Sequence, residues 1–182
     1  VEEKEAGLSG EVVDSLDRPI PGARIAAFRL GAIELEPLAD PGLRGEELPV
    51  AQTTTGDNGR FEIRLALGRA HRLTVTAEGF APTVAPSVYP GESVTIVVRR
   101  GAAVSGRVTR REDEVPVAGA RVVLSRPEIP IPIWEGKTDE DGRYSAQNID
   151  PGQGNLEVIP VEDCREQVTF ELEEGDRVVR DL

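Results

Sequence analysis

The sequence is poor in the residues on which much protein chemistry depends. Among 182 residues it has one cysteine (Cys164), one histidine (His71), two lysines (Lys4 and Lys137) and no methionine. A single cysteine excludes an intrachain disulfide, so the redox compartment stays open. No apolar run approaches the roughly 20 residues that span a bilayer. We therefore expect no membrane insertion in this segment, no metal site and no cofactor.

Aromatic side chains and room for helices are also scarce. Aromatic residues make up 4% of the chain, so a core must be built from Val, Ile, Leu and Ala, which favours strands. Fourteen prolines and 19 glycines leave little space for a long helix. The formal net charge is −12, and the arginines are interspersed with acids. This pattern argues against binding of nucleic acid, because phosphate backbones are repelled.

The sequence that is present repeats itself. The stretch LSGEVVDSLDRPIPGARIAAF at 8–28 matches VSGRVTRREDEVPVAGARVVL at 104–124, displaced by 96 to 97 positions. Further on, TGDNGRF at 55–61 matches TDEDGRY at 138–144, displaced by 83. The fall from 97 to 83 predicts a 14-residue excess in the first copy, within an insertion around 29–52.

Apolar residues in both copies alternate with polar ones. Phe61, Ile63 and Leu65, for example, alternate with Glu62 and Arg64. A period of two is typical of half-buried strands, and turn residues separate the segments. The chain is therefore predicted to be all-β, with two tandem seven-stranded antiparallel β-sandwiches in domains 1–100 and 101–182. The expected strands are 7–13, 22–29, 49–55, 59–65, 71–78, 80–86 and 92–99, then 103–109, 119–126, 133–138, 142–147, 155–161, 166–172 and 176–181.

The repeated Asp-Asn-Gly and Glu-Asp-Gly steps are predicted to be tight hairpin turns. Gly and Asn tolerate positive φ, and an Asp side chain accepts a local backbone N–H. Arg60 and Arg143 are then expected to face solvent, whereas Phe61 and Tyr144 turn into the core.

A calcium site in the same turns is the competing interpretation. Asp57, Asp139, Glu140 and Asp141 offer the oxygen ligands that a hard cation prefers. The twelve-residue loop flanked by helices is missing, however, and the first copy has one acid in its turn. Turn chemistry is therefore the favoured interpretation.

The order S-G-x-V, P-x-x-G-A-R, T-x-x-D-G-x-[FY] and then a strand followed by G-F-A-P resembles the carboxypeptidase regulatory-like domain, also described as transthyretin-like or Cna-B-like. The likeness extends over two tandem copies and is weaker after Pro160. The resemblance implies a prealbumin-like, Ig-like β-sandwich. It also implies a spacer, adhesion or accessory module of secreted, periplasmic or surface proteins.

Enzymes built on related sandwiches do not fit the residues present. A hydroxyisourate hydrolase type of site needs several histidines, and an intradiol dioxygenase needs two histidines and two tyrosines for iron. His71 is the only histidine, and we expect it to be an exposed strand-end residue. The Lys-to-Asn bond of some Cna-B-like domains needs a core lysine, which neither Lys4 nor Lys137 is expected to supply. Cys164 has acidic neighbours that disfavour a reactive thiolate.

Two segments depart from a minimal sandwich and are candidate contact surfaces. The insertion around 30–48 carries Leu35 and Leu38 among acids, and it either covers a sheet edge or contacts a partner.

The second segment is PEIPIPIWEG at 127–136. Its prolines suit an edge strand or bulge. Trp134 either packs against the sheet or, beside Ile131 and Ile133, forms a contact hot spot.

These features predict a non-enzymatic structural or interaction module of a larger cell-envelope or extracellular bacterial protein. Its location would be periplasmic, cell-surface or extracellular, and its partner a protein or a cell-envelope component. One alternative is a carbohydrate- or peptide-binding module that uses Trp134 or the 30–48 insertion. Another is an accessory domain of an enzyme whose active site lies outside this segment.

Overall fold

The computed structural model describes residues 4–30, 48–110, 112–127, 129–159 and 166–182, with the side chains of 129–131 and 166 outside the description. Contacts divide the chain into two compact units, Val1–Glu78 with Pro82–Val98 and Gly79–Ala81 with Arg99–Leu182. Within the described ranges the regular structure consists of strands alone.

The first unit is a sandwich of two sheets. Its three-stranded sheet has the order β4-β1-β7 and its four-stranded sheet the order β3-β2-β5-β6. The strands are β1 (Glu5–Asp14), β2 (Arg24–Arg29), β3 (Ala51–Thr54), β4 (Arg60–Ala66), β5 (His71–Thr76), β6 (Thr83–Val88) and β7 (Ser93–Val98).

The second unit repeats this topology strand for strand. Its sheets have the orders β11-β8-β14 and β10-β9-β12-β13. The strands are β8 (Ala102–Arg107), β9 (Arg121–Arg126), β10 (Ile129–Lys137), β11 (Arg143–Ile149), β12 (Gly152–Ile159), β13 (Glu166–Leu172) and β14 (Arg177–Val179). The predicted β-sandwich fold is confirmed.

One pairing in each sandwich is parallel, whereas the sequence predicted antiparallel sheets throughout. β1 pairs in parallel with β7, and β8 pairs in parallel with β14. The cause is the connection between strands. β6 and β13 belong to the four-stranded sheets, so the chain crosses to the other sheet before its last strand and is not constrained by a hairpin.

The prediction of hairpins at the two acidic turns is wrong. β3 and β4 belong to different sheets, as do β10 and β11, so each turn carries the chain from one sheet to the other. The expected side-chain directions are confirmed. Arg60 and Arg143 are exposed, whereas Phe61 and Tyr144 are buried.

Each core consists of the inward residues of both sheets. Leu8, Ile25, Leu65, Leu73 and Val98 are almost completely buried in the first sandwich. The core of the second sandwich includes Val104, Val122, Leu124, Leu156 and Tyr144. Alternation along the strands thus places one face of each sheet in the core, as the period of two predicted.

The Ser-Gly and Gly-Arg-aromatic motifs recur together because they meet across a strand pair. Gly10 lies opposite Phe61, and a Cβ at Gly10 would lie 2.7 Å from Phe61 Cζ. Gly106 lies opposite Tyr144, and a Cβ there would lie 2.8 Å from Tyr144 Oη. Each aromatic side chain therefore occupies the space that a side chain on the glycine would need.

Candidate functional site

A buried threonine joins the acidic turn of each copy to the preceding Gly-Ala loop. Thr55 Oγ1 accepts a hydrogen bond from the Ala23 N–H (2.8 Å) and donates one to the Ile20 carbonyl (2.7 Å). The same two bonds, at 2.9 and 2.6 Å, join Thr138 to Ala120 and Val117. The repeated threonine therefore stabilises the fold, because burial leaves its hydroxyl with internal partners only.

The turn glycines are required by both conformation and space. Gly59 and Gly142 have φ of 73° and 74°, in the left-handed region that favours glycine. A Cβ at Gly142 would lie 2.6 Å from the Val108 carbonyl oxygen, and one at Gly59 would lie 2.8 Å from that of Val12. The turn therefore packs directly on the backbone of the first strand and the loop that follows it.

The polar side chains in the turns accept hydrogen bonds from the turns themselves. Asp139 Oδ1 accepts from the N–H groups of Asp141 (3.0 Å) and Arg143 (2.7 Å), and Asn58 Oδ1 accepts from that of Arg60 (3.1 Å). Over the described part of the chain, no group of three or more Asp, Glu, His or Cys residues is arranged to hold a metal ion. Asn58 and Asp139 thus stabilise local turns that connect the two sheets of each sandwich.

The loop after β1 contains an ion pair between a buried carboxylate and an exposed arginine, which the sequence did not indicate. Asp14 is 4% exposed, and its Oδ2 lies 2.6 and 2.7 Å from the Arg18 guanidinium nitrogens. Its Oδ1 accepts from the N–H groups of Leu16 and Arg18. Hydrogen bonding to Arg18 lowers the pKa of Asp14 to about 2. The pair closes the loop and does not present a free carboxylate.

Tyr144 combines an apolar ring with a buried hydrogen bond. Its Oη donates to the Arg180 carbonyl oxygen at 2.6 Å, just beyond Gly106. Burial raises the pKa of Tyr144 to about 12. At neutral pH the phenol is therefore protonated and ties the end of the chain to β8 and β11.

His71 contradicts its prediction as an exposed residue, because it is completely buried at the start of β5. It lies opposite Val88, and the equivalent pair in the second sandwich is Gly154 opposite Phe170. A Cβ at Gly154 would lie 2.6 Å from Phe170 Cζ, so the phenyl ring covers the glycine. The imidazole therefore fills core volume that a phenyl ring fills in the other copy, which an alignment of the repeats could have revealed.

Arg126 is a second residue that sequence reasoning missed. Its side chain is 14% exposed and donates to the carbonyl oxygens of Gln153 (2.6 Å) and Pro151 (2.9 Å), and also to that of Asp150. These bonds hold the connection between β11 and β12. The Arg126 guanidinium group therefore stabilises this connection.

Trp134 lies between the second core and an open groove. The indole lies across Gly136, where a Cβ would come within 2.5 Å of Cη2, and it packs against buried core residues. It is also half-buried and lines a groove of about 620 Å³ with Arg107, Lys137 and Arg143. The tryptophan therefore takes part in the core and in the surface at once.

The groove has charged groups of both signs, and two aspartates contact its arginine residues. Arg107 Nε donates to the Asp141 carbonyl oxygen at 2.8 Å, and Arg143 Nη1 lies 3.4 Å from Asp141 Oδ2. Asp181 Oδ1 accepts from the Arg107 N–H at 2.9 Å. Both signs of charge therefore surround the indole, which suits a polar ligand with an apolar face.

The structure does not place the other predicted contact residues with Trp134. Ile133 is 37% exposed and precedes Trp134 at a register shift of β10, and it does not line the groove beside Trp134. Ile131 belongs to β10, but its side chain is outside the description. Leu35, Leu38 and Cys164 also lie outside the described residues.

Lys4 and Lys137 are both exposed, so neither provides the core lysine that an internal Lys-to-Asn bond needs. No helix among the described residues is long and apolar enough to cross a membrane.

The family model for the carboxypeptidase regulatory-like domain matches residues 7–99, which is 93 of 182 residues. The chain therefore belongs to the carboxypeptidase regulatory-like domain family. The match covers the first sandwich, and the second is related to it by the internal repeat and the same strand order. No curated protein matches the sequence.

Solved structures that match the chain include bacterial pilins, all at low identity. The Bacillus anthracis TIE protein is 14% identical over 98% of this chain and 33% of its own, with a TM-score of 0.43. The minor pilin GBS52 of Streptococcus agalactiae is 14% identical over 97% and 94%, with a TM-score of 0.43. The shaft pilin SpaA from Lactobacillus rhamnosus GG is 11% identical over 99% and 98%, with a TM-score of 0.39. The chain spans one third of the TIE protein.

Proposed function

We propose that the chain is a non-enzymatic structural or interaction module of a larger cell-envelope or extracellular bacterial protein. Residues 1–100 and 101–182 are its two domains, which space or dock other parts of that protein. One observation carries the proposal: the repeated polar residues hydrogen-bond to the backbone of the fold, Asn58 and Asp139 within their own turns and Thr55 and Thr138 to the preceding loop. A catalytic use would need polar atoms directed at a substrate.

The proposed location is periplasmic, cell-surface or extracellular, and the proposed partner is a protein or a cell-envelope component. Membership of the carboxypeptidase regulatory-like family supports this location, because the family resemblance implies such settings. Fractionation of cells that express the parent protein tests it, with protease added to intact cells. We expect the segment to be cleaved outside the cytoplasm, and a purely cytoplasmic pool would contradict the proposal.

Replacing residues 1–182 in the parent protein distinguishes a spacer module from a docking module. The replacement is an unrelated pair of β-sandwiches of the same length, and the readout is surface display and partner retention. A spacer tolerates the exchange, whereas a docking module loses its partner. Enzymatic turnover by the isolated 182-residue chain would contradict the non-enzymatic proposal.

A carbohydrate- or peptide-binding module is the second candidate, favoured by the groove beside Trp134. An indole flanked by Arg107, Lys137 and Arg143 can stack on a sugar ring or contact a peptide while the cations bind its polar groups. Because Trp134 is the only tryptophan, its fluorescence reports directly on the groove. Titration with cell-wall oligosaccharides and peptides should change the emission, and Arg143→Gln should weaken binding. Arg24→Gln, an exposed arginine of the first sandwich, is the matched control.

A further inference from the structure

β7 is an outer strand without the residues that usually hinder the addition of another strand. Its six residues, Ser-Val-Thr-Ile-Val-Val, include five β-branched side chains and no charge, proline or glycine. In the described structure it pairs with β1 alone, in a continuous register without a bulge. Natural sheets usually block such an edge, because unpaired N–H and C=O groups recruit another strand.

Four other outer strands carry blocking features that β7 lacks. β6 contains Pro86 and a register shift, and β10 contains two prolines and two register shifts. β14, which is the counterpart of β7, has three residues, begins with Arg177 and is followed by Arg180. β4 presents charged side chains at every second position. The contrast between β7 and β14 is therefore a difference between two copies of the same strand.

The backbone register identifies the groups at the open edge. Ser9 donates its N–H to the Glu92 carbonyl at 3.2 Å, and Ser9 pairs with Ser93. In a parallel ladder alternate residues face the neighbouring strand. Val94, Ile96 and Val98 therefore face β1, whereas Ser93, Thr95 and Val97 direct their N–H and C=O groups away from it. The side chains of these three residues are exposed.

We propose that β7 pairs antiparallel with β7 of a second copy of this chain. Pairing about Thr95 brings Ser93 opposite Val97 of the other copy and Thr95 opposite itself, so every outward N–H and C=O group of the three residues finds a partner. The two three-stranded sheets then form one continuous sheet. This association does not depend on the proposed function.

Charge selects the second copy and the antiparallel direction. Glu92 precedes the uncharged run and Arg99 follows it. Antiparallel pairing of two identical strands places the Glu92 end of one strand beside the Arg99 end of the other at both ends of the pair. Parallel pairing would bring like charges together, which is unfavourable. The strand is thus complementary to itself in hydrogen bonding and in charge.

Thr95→Pro is a sharp test because the Thr95 N–H points away from β1. Proline removes an outward donor and blocks strand addition, while the hydrogen bonds between β1 and β7 stay. Thr95 also donates its hydroxyl to Glu11 at 3.2 Å. Thr95→Val is therefore the control, because it removes that bond and keeps the N–H group.

Sedimentation velocity of the 182-residue chain measures association over a wide concentration range. We expect the wild type and Thr95→Val to dimerise as concentration rises, and Thr95→Pro to dimerise at least about tenfold more weakly. Circular dichroism checks that all three are folded. A wild type that stays monomeric to about 1 mM, or equal dimerisation of Thr95→Pro, would overturn the proposal.

Amide hydrogen exchange gives a second readout, independent of any substitution. The amides of Thr95 and Val97 should become protected as concentration rises, whereas those of Ile96 and Val98 are protected by β1 throughout. Fast exchange of Thr95 and Val97 at concentrations where the chain is dimeric would place the interface elsewhere and contradict the proposal. Protection of these amides only by an added heterologous extended peptide would also contradict it.

Discussion

At the start of β5 the first sandwich places His71 opposite Val88, whereas the second places Gly154 opposite Phe170 at the start of β12. In the first sandwich the ring lies on β5, the first strand of the pair. In the second sandwich it lies on β13, the second strand of the pair. Both fill a similar part of the core. The comparison teaches that packing constrains the combined volume of a cross-strand pair more strongly than the identity of either residue.

The acidic turn differs from the core in this respect. Thr55 and Thr138 make the same hydrogen bonds, and Gly59 and Gly142 have nearly the same φ. Backbone geometry in the turn admits few substitutes, because hydrogen-bond direction and positive φ are specific to residue type. The turn is therefore the less tolerant of the two regions, and this difference can be tested.

Gly142→Ala should produce the largest destabilisation. Alanine is disfavoured at a φ of 74°, and its Cβ would meet the Val108 carbonyl oxygen at 2.6 Å. We expect a loss of about 3 kcal/mol in the free energy of unfolding. Urea unfolding followed by Trp134 fluorescence reports the second sandwich. Gly175→Ala, with φ of 79° and no atom within 4 Å of the new Cβ, is the control and should lose only about 1 kcal/mol.

Exchanging the core pair tests whether volume is shared across the strands. Phe170→Val should lose about 2 kcal/mol through a cavity, and Gly154→His should be destabilising through overpacking. The double variant reproduces the pair of the first sandwich. It should be more stable than the sum of the single effects predicts, by about 1 kcal/mol, in a double-mutant cycle. Strict additivity would show that the two positions do not share space.

Tyr144→Phe converts the second sandwich to the residue that the first has at Phe61. The loss of the hydrogen bond to the Arg180 carbonyl should reduce stability by about 1 kcal/mol. Tyr89→Phe, at an exposed tyrosine, is the control and should have little effect. An unchanged free energy of unfolding would show that a hydrogen bond from water to the Arg180 carbonyl oxygen replaces the one from the phenol.

The raised pKa of Tyr144 predicts a pH dependence of the same sandwich. The native state keeps the phenol protonated to about pH 12, whereas the unfolded chain ionises near 10. The stabilising contribution is therefore complete below pH 10 and is lost as pH rises from 10 to 12. Tyr144→Phe should flatten the unfolding profile in this window.

Asp14 stays ionised at neutral pH, so its titration affects stability only in acid. Its native pKa of about 2 lies below the ordinary value of 3.8, so its contribution to stability is present above pH 4 and is lost as pH falls from 4 to 2. NMR titration of the Leu16 and Arg18 amides, which donate to Asp14, should show a midpoint near 2. Asp113→Asn, in the corresponding loop of the second copy, should leave that midpoint unchanged.

Much of the fold was predictable from periodicity. Alternation located the strands, and the repeated turn correctly placed Phe61 and Tyr144 in the core. Periodicity reports the local state of the chain but not the sheet to which a strand belongs. Periodicity therefore does not distinguish a turn between two sheets from a hairpin, or a parallel β7 from an antiparallel one.

The site residues were less predictable because their partners are distant in sequence. Arg126 binds carbonyl groups in a loop 24 to 27 positions away, and Tyr144 reaches Arg180. His71 was misassigned because its neighbours are charged, although its strand partner is Val88. Trp134 as a contact residue stays a prediction.

The first strand of each sandwich lies in the middle of its sheet, between a strand from the centre of the domain and the last strand. During synthesis the edge of β1 that pairs with β7 therefore stays unpaired until residues 93–98 have left the ribosome. The first domain can close only as a late and nearly all-or-none event, since its most distant segments in sequence must meet. A chain that ends before Ser93 would leave this edge of β1 unpaired and open to a strand of another molecule.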